Sequence, residues 1–363
     1  AAPKGPLTST GEGVAAAGNQ DFGYFAGGGN GSPGRLSVID RIDYSSDTAT
    51  ASARGNLPND RYDAAGTGNS SHGYVGAGRT GGNQRHTTVF RIDYSNDTAN
   101  ASTRGVLNAA GGYGAGAVSA GNYALPQTFS QGTVGSYGAG YFGGGGPSPY
   151  KSSVERIDYS NDTATTSVRS SLTAARWYIM ATSSSSHGYW MGGKNPSPAM
   201  VSTVDRLDYS NDTATASARG PLDTAGYRGM NGVSNVNFGY TGGGDFPSSG
   251  STVRRIDFGN DTATGVTKGP LTATNYLLSA AGNQSYGYFA GGSPPTGHTR
   301  VDRLDYGNDT ATCLAKGPLS AGRRKLEAAG NEDYAWVAGG THPSGNKTNV
   351  DRINYANDTA TAV

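Results

Sequence analysis

An Asp that follows Asn or Ser and precedes Thr recurs along the chain and could do chemistry. It occurs seven times, at Asp47, Asp97, Asp162, Asp212, Asp261, Asp309 and Asp358. Carboxylate and amide oxygens suit a hard cation such as Ca²⁺. They also accept hydrogen bonds from nearby backbone amides and so shape turns. Because the same residue recurs in every copy, we favour the turn, and the sequence predicts no metal site.

An Arg and a second Asp recur in the same motif, for example Arg206 and Asp208. A catalytic acid or base would be one residue in one copy, so we predict that the repeated charges form structural pairs between strands or between repeats. There is no Gly-x-Ser-x-Gly sequence, and no single copy combines an acid, a base and a nucleophile. The sequence therefore predicts no catalytic residue and no enzyme activity.

The five His residues and the single Cys do not form a metal-binding pattern. His72 and His187 occupy a position that is aromatic in other copies, which indicates packing. His86, His298 and His342 lie in unlike loops without a Cys or carboxylate that completes a ligand set. Cys313 stands where other copies carry Ala, Ser, Thr or Val, so it is predicted to be a packing residue. No cofactor is predicted.

A second group of residues differs between copies and lies five residues after a repeated Leu. Its members are Glu12, Tyr62, Trp177, Tyr227, Tyr276 and Arg324, and the adjacent arginines are Arg61, Arg176, Arg228 and Arg323. Aromatic rings beside Arg donors could stack on sugar rings and bond their hydroxyls, so these ten residues are the predicted ligand-binding residues. The same aromatic rings could instead fill space between repeats, and the sequence leaves both interpretations open.

The elements that hold these residues are seven copies of one unit. The copies begin at Arg41, Arg91, Arg156, Arg206, Arg255, Arg303 and Arg352, at spacings of 50, 65, 50, 49, 48 and 49 residues. A period near 50 is typical of propellers and other repeat folds. Each unit contains four short β-like runs, which in the fourth copy are 177–182, 187–191, 202–209 and 213–219. Asn and Asp between the last two runs predict a hairpin.

Both ends of the chain belong to one unit. The last copy stops at Val363 without the Gly-Pro-Leu that follows the other copies, and the chain begins with Lys4-Gly5-Pro6-Leu7. We predict a single all-β domain, 1–363, which is a seven-bladed β-propeller with four antiparallel strands per blade, closed by adjacent N- and C-termini. The predicted blades are 13–55, 62–105, 113–169, 176–219, 226–268, 275–316 and 323–363, with 1–7 completing the closure. The third blade carries an inserted loop at 123–137.

The chain resembles kelch-type β-propellers over all 363 residues. The resemblance rests on runs that end in a Gly pair, such as Tyr189-Trp190-Met191-Gly192-Gly193, and on a later Val-x-x-Leu-Asp at 204–208. The repeated sequence Asp-Tyr-Ser-Asn-Asp-Thr-Ala-Thr is also similar to repeat arrays in virion structural or tail-associated proteins of marine phages that infect cyanobacteria. That resemblance implies an extracellular location on a virion.

Loops between the second and third runs differ from unit to unit, at 30–36, 79–86, 147–151, 194–200, 245–250, 293–299 and 341–347. Because strands alternate in direction, these loops should share one face with the predicted ligand-binding residues. Varied loops on a rigid frame are typical of binding surfaces. We expect a non-enzymatic binding or display module that recognises a host surface glycan or another virion protein. The alternatives are a carbohydrate-active enzyme, with carboxylates such as Glu12 or Asp60 at the mouth, and a purely structural spacer.

Charge and hydropathy exclude two further classes of partner. The formal net charge is +1 and no basic stripe is visible, whereas a nucleic-acid-binding protein would carry one. No run approaches the roughly 20 apolar residues that a membrane helix needs. The sequence therefore predicts neither nucleic-acid binding nor membrane insertion.

Overall fold

The fold is seen in a computed structural model, which describes residues 2–29, 34–81, 84–107, 115–119, 138–146, 150–163, 167–197, 199–223, 231–245, 250–292 and 297–359. The predicted inserted loop at 123–137 and the predicted ligand-binding residues Tyr227 and Arg228 lie outside these ranges. So do parts of six of the seven varied loops. Seven four-stranded antiparallel sheets are present.

The strands follow one another blade by blade. They are β1 (Ala2–Lys4); β2 (Ala15–Gly18), β3 (Phe22–Ala26), β4 (Ile39–Asp43) and β5 (Ser52–Ala53) in blade 1; β6 (Ala65–Gly68), β7 (His72–Gly76), β8 (Thr88–Asp93) and β9 (Ser102–Val106) in blade 2; β10 (Gly116–Ser119), β11 (Ala139–Gly143), β12 (Ser153–Asp158) and β13 (Ser167–Ser171) in blade 3; and β14 (Met180–Ser183), β15 (His187–Met191), β16 (Val204–Asp208) and β17 (Ser217–Ala218) in blade 4.

The remaining strands are β18 (Asn231–Ser234), β19 (Phe238–Gly242), β20 (Val253–Asp257) and β21 (Val266–Lys268) in blade 5; β22 (Ser279–Gly282), β23 (Tyr286–Ala290), β24 (Val301–Asp305) and β25 (Leu314–Ala315) in blade 6; and β26 (Glu327–Gly330), β27 (Tyr334–Ala338) and β30 (Val350–Asn354) in blade 7, with a small hairpin of β28 (Thr341–His342) and β29 (Gly345–Asn346). Single-turn 3-10 helices follow three third strands, at Tyr44–Ser46, Tyr209–Asn211 and Tyr306–Asn308.

The blades form a closed ring. The innermost strands contact one another in the order β2, β6, β10, β14, β18, β22 and β26, and β26 contacts β2. Strand β1 pairs antiparallel with β30, with Ala2 opposite Arg352, so the N-terminal strand is the outermost strand of blade 7. The predicted seven-bladed, all-β propeller with adjacent termini is confirmed.

Aromatic rings fill the space between adjacent blades. A Tyr of each second strand, or Trp336 in blade 7, stacks on an aromatic ring that follows the third strand of the next blade; two of these pairs, Tyr240–Tyr306 and Tyr288–Tyr355, have centroids 4.9 and 5.0 Å apart. Gly287 lies where a Cβ atom would come within 2.8 Å of the Tyr306 hydroxyl. A glycine beside six of the seven rings, with Ala335 at the equivalent position of blade 7, therefore lets the sheets approach closely although Leu and Ile are scarce.

Each turn Asp joins its blade to the preceding one. The Asp309 carboxylate in blade 6 accepts a hydrogen bond from the Tyr240 hydroxyl at 2.9 Å. It also lies 2.8 Å from Arg255 Nη1 and 3.0 Å from Lys268 Nζ. We call this group the interblade clasp. It recurs around the ring at Asp47, Asp97, Asp162, Asp212, Asp261 and Asp358, with Trp336 in place of Tyr at Asp47.

The clasp corrects one interpretation of the sequence. The turn Asp was predicted to shape its own turn, but the local bond is made by the residue four positions earlier, which is Asp in six blades and Asn354 in blade 7. In blade 6, Asp305 caps the 3-10 helix by accepting a hydrogen bond from the Gly307 amide at 2.9 Å. The predicted structural pairing of the repeated Arg residues is observed, and it operates between blades.

The residues predicted to pack do so. Cys313 is buried in a cluster with Leu271 and Leu304, and burial raises the pKa of its thiol to about 12. The rings of His72 and His187 lie against Tyr74 and Tyr189 at centroid distances of 6.3 and 6.2 Å.

Candidate functional site

The predicted ligand-binding positions and the parts of the varied loops that the structure describes lie on one face of the ring. Isolated backbone bridges join the two within a blade, namely Glu12 to Gly29, Tyr62 to Arg79, Trp177 to Lys194 and Arg324 to Thr341. We call this surface the loop face. It consists of the residues just before each innermost strand and of the loops between second and third strands. The opposite face carries the repeated hairpins.

A ring of strained backbone surrounds the channel mouth on the loop face. Its members have φ angles of 53 to 64° and are Gly13, Asp63, Tyr178, Leu277 and Lys325. We call these residues the collar. Backbone amides of Asp63 and Lys325 donate to the carbonyls of Gly13 and Leu277 at 2.9 Å, which links the collar residues of adjacent blades. Left-handed backbone costs a non-glycine residue about 1–2 kcal/mol, so packing of the surrounding blades must hold the collar in place.

Tyr62 is the centre of a polar cluster in this collar. Its hydroxyl donates to Glu12 Oε1 at 2.8 Å and accepts from Lys325 Nζ at 3.0 Å. Lys325 also lies 3.2 Å from Glu12 Oε1. The Tyr62 side chain is only 3% exposed, and burial together with the nearby carboxylates raises its pKa well above the ordinary range. Glu12, Tyr62 and Lys325 are thus already bonded to one another.

Two arginines cover the ring of Tyr62. The guanidinium carbons of Arg35 and Arg79 lie 4.0 and 4.7 Å from the ring centroid. Arg79 also pairs with Asp63 at 3.1 Å, while burial raises the Asp63 pKa to about 6 against the opposing effect of Arg79. A sugar ring could stack on Tyr62 only by displacing these guanidinium groups.

An aromatic cluster around Trp177 is more open. Trp177 itself is 8% exposed, but Tyr178 stacks on it at 4.0 Å and Tyr150 meets it edge-on at 6.0 Å. Tyr150 and Tyr178 are both partly exposed, and so is Tyr276, which occupies in blade 6 the position that Trp177 has in blade 4. The sequence reasoning missed Tyr150 and Tyr178, although Tyr178 immediately follows a predicted residue. These partly exposed rings are the surfaces on which a sugar could stack.

Three of the predicted arginines lie beneath the loop face. Arg61, Arg176 and Arg323 are fully buried. Arg176 pairs with Asp205, and Arg323 pairs with Asp351 at 2.8 Å. A ligand on the loop face would not contact these guanidinium groups, because all three are buried and those of Arg176 and Arg323 pair with the third strand of their own blade. Arg324 is partly exposed and joins the loop face through its backbone bridge.

The same buried pair is incomplete in other blades, among them blades 2 and 6. Phe90 stands in blade 2 where blades 4 and 7 carry Asp, and the Nε and Nη2 atoms of Arg61 have no hydrogen-bond partner among the described residues. Burial lowers the pKa of Arg61 to about 10. In blade 6 the Arg is replaced by Asn275, and Oδ2 of the buried Asp302 has no hydrogen-bond partner among the described residues. Burial raises the Asp302 pKa against the opposing effects of Thr272 and Arg300.

Restoring the missing cation should stabilise blade 6. We expect Asn275→Arg to raise the free energy of unfolding by about 1–2 kcal/mol at pH 7, because it supplies a partner for a buried carboxylate. The gain should shrink as pH falls and Asp302 becomes protonated. Chemical denaturation at pH 7 and pH 4 measures both effects. Asn275→Gln, which adds length without charge, is the control, and an equal gain in that variant would contradict the ion-pair explanation.

The central channel contains one charged side chain among the residues that the structure describes. A cavity of about 380 Å³ is lined by the innermost strands of all seven blades, mainly by Ala, Gly, Ser and Thr. Glu327, the first residue of β26, is the exception. Burial and the nearby Asp63 carboxylate raise the Glu327 pKa to about 8. Sequence reasoning missed Glu327, although the other six innermost strands begin with Ala, Gly, Met, Asn or Ser.

Two kinds of feature are absent from the described ranges. No group of three or more His, Cys, Asp or Glu side chains is placed to hold a metal ion there. No helix in those ranges has the length and apolar character needed to span a membrane.

Comparison with known proteins supports the fold. No protein-family model and no curated protein matches the sequence. Among solved structures, the chain is similar to one titled "Structure of YjhT", with a TM-score of 0.60, 12% sequence identity and 98% coverage of both chains. At that identity the similarity shows the propeller fold and nothing about activity.

Proposed function

We propose that this kelch-like propeller is a non-enzymatic binding or display module on a phage virion, and that its loop face recognises a host surface glycan. The observation that supports the proposal most directly is the contrast between the two faces. The interblade clasp is repeated seven times, while the loop face differs from blade to blade and presents partly exposed rings at Tyr150, Tyr178 and Tyr276. Aromatic rings with polar neighbours suit sugars, which have apolar faces and hydroxyl edges. Another virion protein is the alternative partner.

Glycan binding tests this proposal. We expect the protein to bind a subset of bacterial surface glycans on an array, and Tyr178→Gly and Tyr276→Ala each to weaken that binding about tenfold, the loss of one stacking ring. Glycine suits the left-handed backbone at position 178, and blade 1 carries Gly13 at the equivalent position. Thr262→Ala, in a hairpin of the opposite face, should leave binding unchanged.

Other outcomes would redirect the interpretation. Binding that survives in the Tyr178→Gly/Tyr276→Ala double variant would place the ligand elsewhere. Absence of binding to both glycans and isolated virion proteins would favour the structural spacer.

A carbohydrate-active enzyme is the second candidate, and Glu327 is the observation that favours it. A carboxyl group with a pKa of about 8 holds a proton at neutral pH, as a general acid must. The carboxylates named from the sequence are less suitable, since Glu12 bonds Lys325 and Tyr62 and Asp60 accepts from the Gly81 amide at 3.0 Å. Release of reducing ends from host polysaccharide, abolished in Glu327→Gln, would establish this activity.

A further inference from the structure

The channel cavity is chemically unlike the loop face. Each innermost strand hydrogen-bonds to only one strand of its sheet, so its other edge directs backbone carbonyl and amide groups toward the axis. Asn231 and Ser234 are further polar residues of the lining and are partly exposed. The wall is therefore rich in hydrogen-bond acceptors and carries one formal charge among the described residues.

Glu327 supplies that charge, and the described part of the chain gives it no partner. No described residue donates a hydrogen bond to its carboxyl group, and the charged group that acts on its pKa is another carboxylate, Asp63. The cations close to the channel mouth are already paired with other carboxylates, Arg79 with Asp63 and Lys325 with Glu12. Glu327 is partly exposed to the channel, so a cation that enters the channel can reach and neutralise its carboxylate.

We propose that the central channel is a binding site for a small organic cation with a primary ammonium group, and that Glu327 is the anion that pairs with it. The site is separate from the glycan-binding surface of the loop face. An ammonium group has three donors and no acceptor, which suits one carboxylate surrounded by carbonyl and hydroxyl oxygens. A divalent metal ion suits the site less well, because such ions require several strong ligands and no set of three acidic or His side chains converges in the described ranges.

The charges around Glu327 determine how binding depends on pH. The titratable and charged groups near the mouth are Asp63, Glu12, Lys325, Arg79, Arg35 and Tyr62. Of these, Asp63 titrates near pH 6, and Glu327 follows near pH 8. A cation must displace the Glu327 proton, whereas an alkyl ammonium stays charged to about pH 10. Affinity should therefore rise about tenfold per pH unit from pH 6.5 to about pH 8 and then level off.

The experiment uses two probes that differ only in one group, 4-amino-1-butanol and 1,4-butanediol. Isothermal titration calorimetry of the full chain should show binding of the amine and at least tenfold weaker binding of the diol. In two buffers of different ionisation enthalpy at pH 7, about one proton should be released per amine bound. Affinity measured from pH 6.5 to 8.5 supplies the predicted profile.

Three variants test whether the Glu327 charge itself is responsible for amine binding. Glu327→Gln keeps the shape and removes the charge, and Glu327→Ala introduces the residue that blades 1 and 2 carry at the start of β2 and β6. Both should lose at least tenfold of the amine affinity at pH 8. Asp63→Asn keeps a residue that tolerates left-handed backbone and removes the repulsion, so the pH profile should shift to lower pH. Glycan binding on the loop face should be unchanged in the Glu327 variants.

Several results would overturn the proposal. They are equal affinity for the amine and the diol, unchanged amine affinity in Glu327→Gln, an affinity that does not vary with pH, or no amine binding at pH 8 up to about 10 mM. None of these results bears on glycan recognition, because the glycan test relies on Tyr178 and Tyr276.

Discussion

Replacing Asp309 with Ala is expected to lower the free energy of unfolding by about 3–5 kcal/mol, the loss typical of removing one partner from a buried ion pair. The Asp309 carboxylate accepts from Tyr240 and neutralises both Arg255 and Lys268. Without it, two cations and a hydroxyl of blade 5 would face an apolar interface with blade 6. Chemical denaturation and calorimetry of the purified variant measure the loss.

The same hairpin provides a matched control. Asp305 lies four residues before Asp309. In the described part of the chain, its carboxylate accepts a hydrogen bond only from the nearby Gly307 amide. Asp305→Ala removes a cap, which costs about 1 kcal/mol. If Asp305→Ala lowered the free energy of unfolding as much as Asp309→Ala, the stability would come from turn geometry and not from the interblade clasp.

The fold was predictable because its signal is repeated seven times. The spacing of the repeats, the four β-like runs per unit and the split of one unit between the two ends determine the propeller and its closure. The partners of the turn Asp were not predictable. Asp309 and Arg255 are 54 residues apart, and the sequence does not say whether an ion pair forms within a blade or between blades.

The candidate site was predicted less completely, for a physical reason. Ranking positions by residue type selected Arg61, Arg176 and Arg323, but a long Arg side chain can turn inward to a buried carboxylate as readily as outward to a ligand. Arg176 and Arg323 turn inward because their own third strands carry Asp205 and Asp351. Comparing the copies position by position would have identified Glu327, because it is the only acidic residue that begins an innermost strand.

Glu327 should also make stability depend on pH. Its pKa is about 8 in the folded chain against an ordinary value of 4.5, so the folded state holds the proton more tightly than the unfolded state does. Both states are protonated at pH 4, where the carboxyl group has no effect. As pH rises from 4.5 to 8, ionisation favours the unfolded state, and the penalty is complete above pH 8.

Glu327→Gln removes this penalty, because the amide stays neutral at every pH. We expect the variant to match the wild type at pH 4 and to be more stable by on the order of 2–4 kcal/mol at pH 9. This gain is smaller than the full pKa shift of Glu327 would give, because water reaches the channel and solvates the charge. Denaturation curves at pH 4, 7 and 9 measure the difference. Asp305→Gln, at a partly exposed carboxylate outside the channel, is the control and should show no gain at pH 9. A constant difference between Glu327→Gln and wild type across this range would mean that Glu327 titrates normally, and that channel water solvates its charge as well as bulk water does.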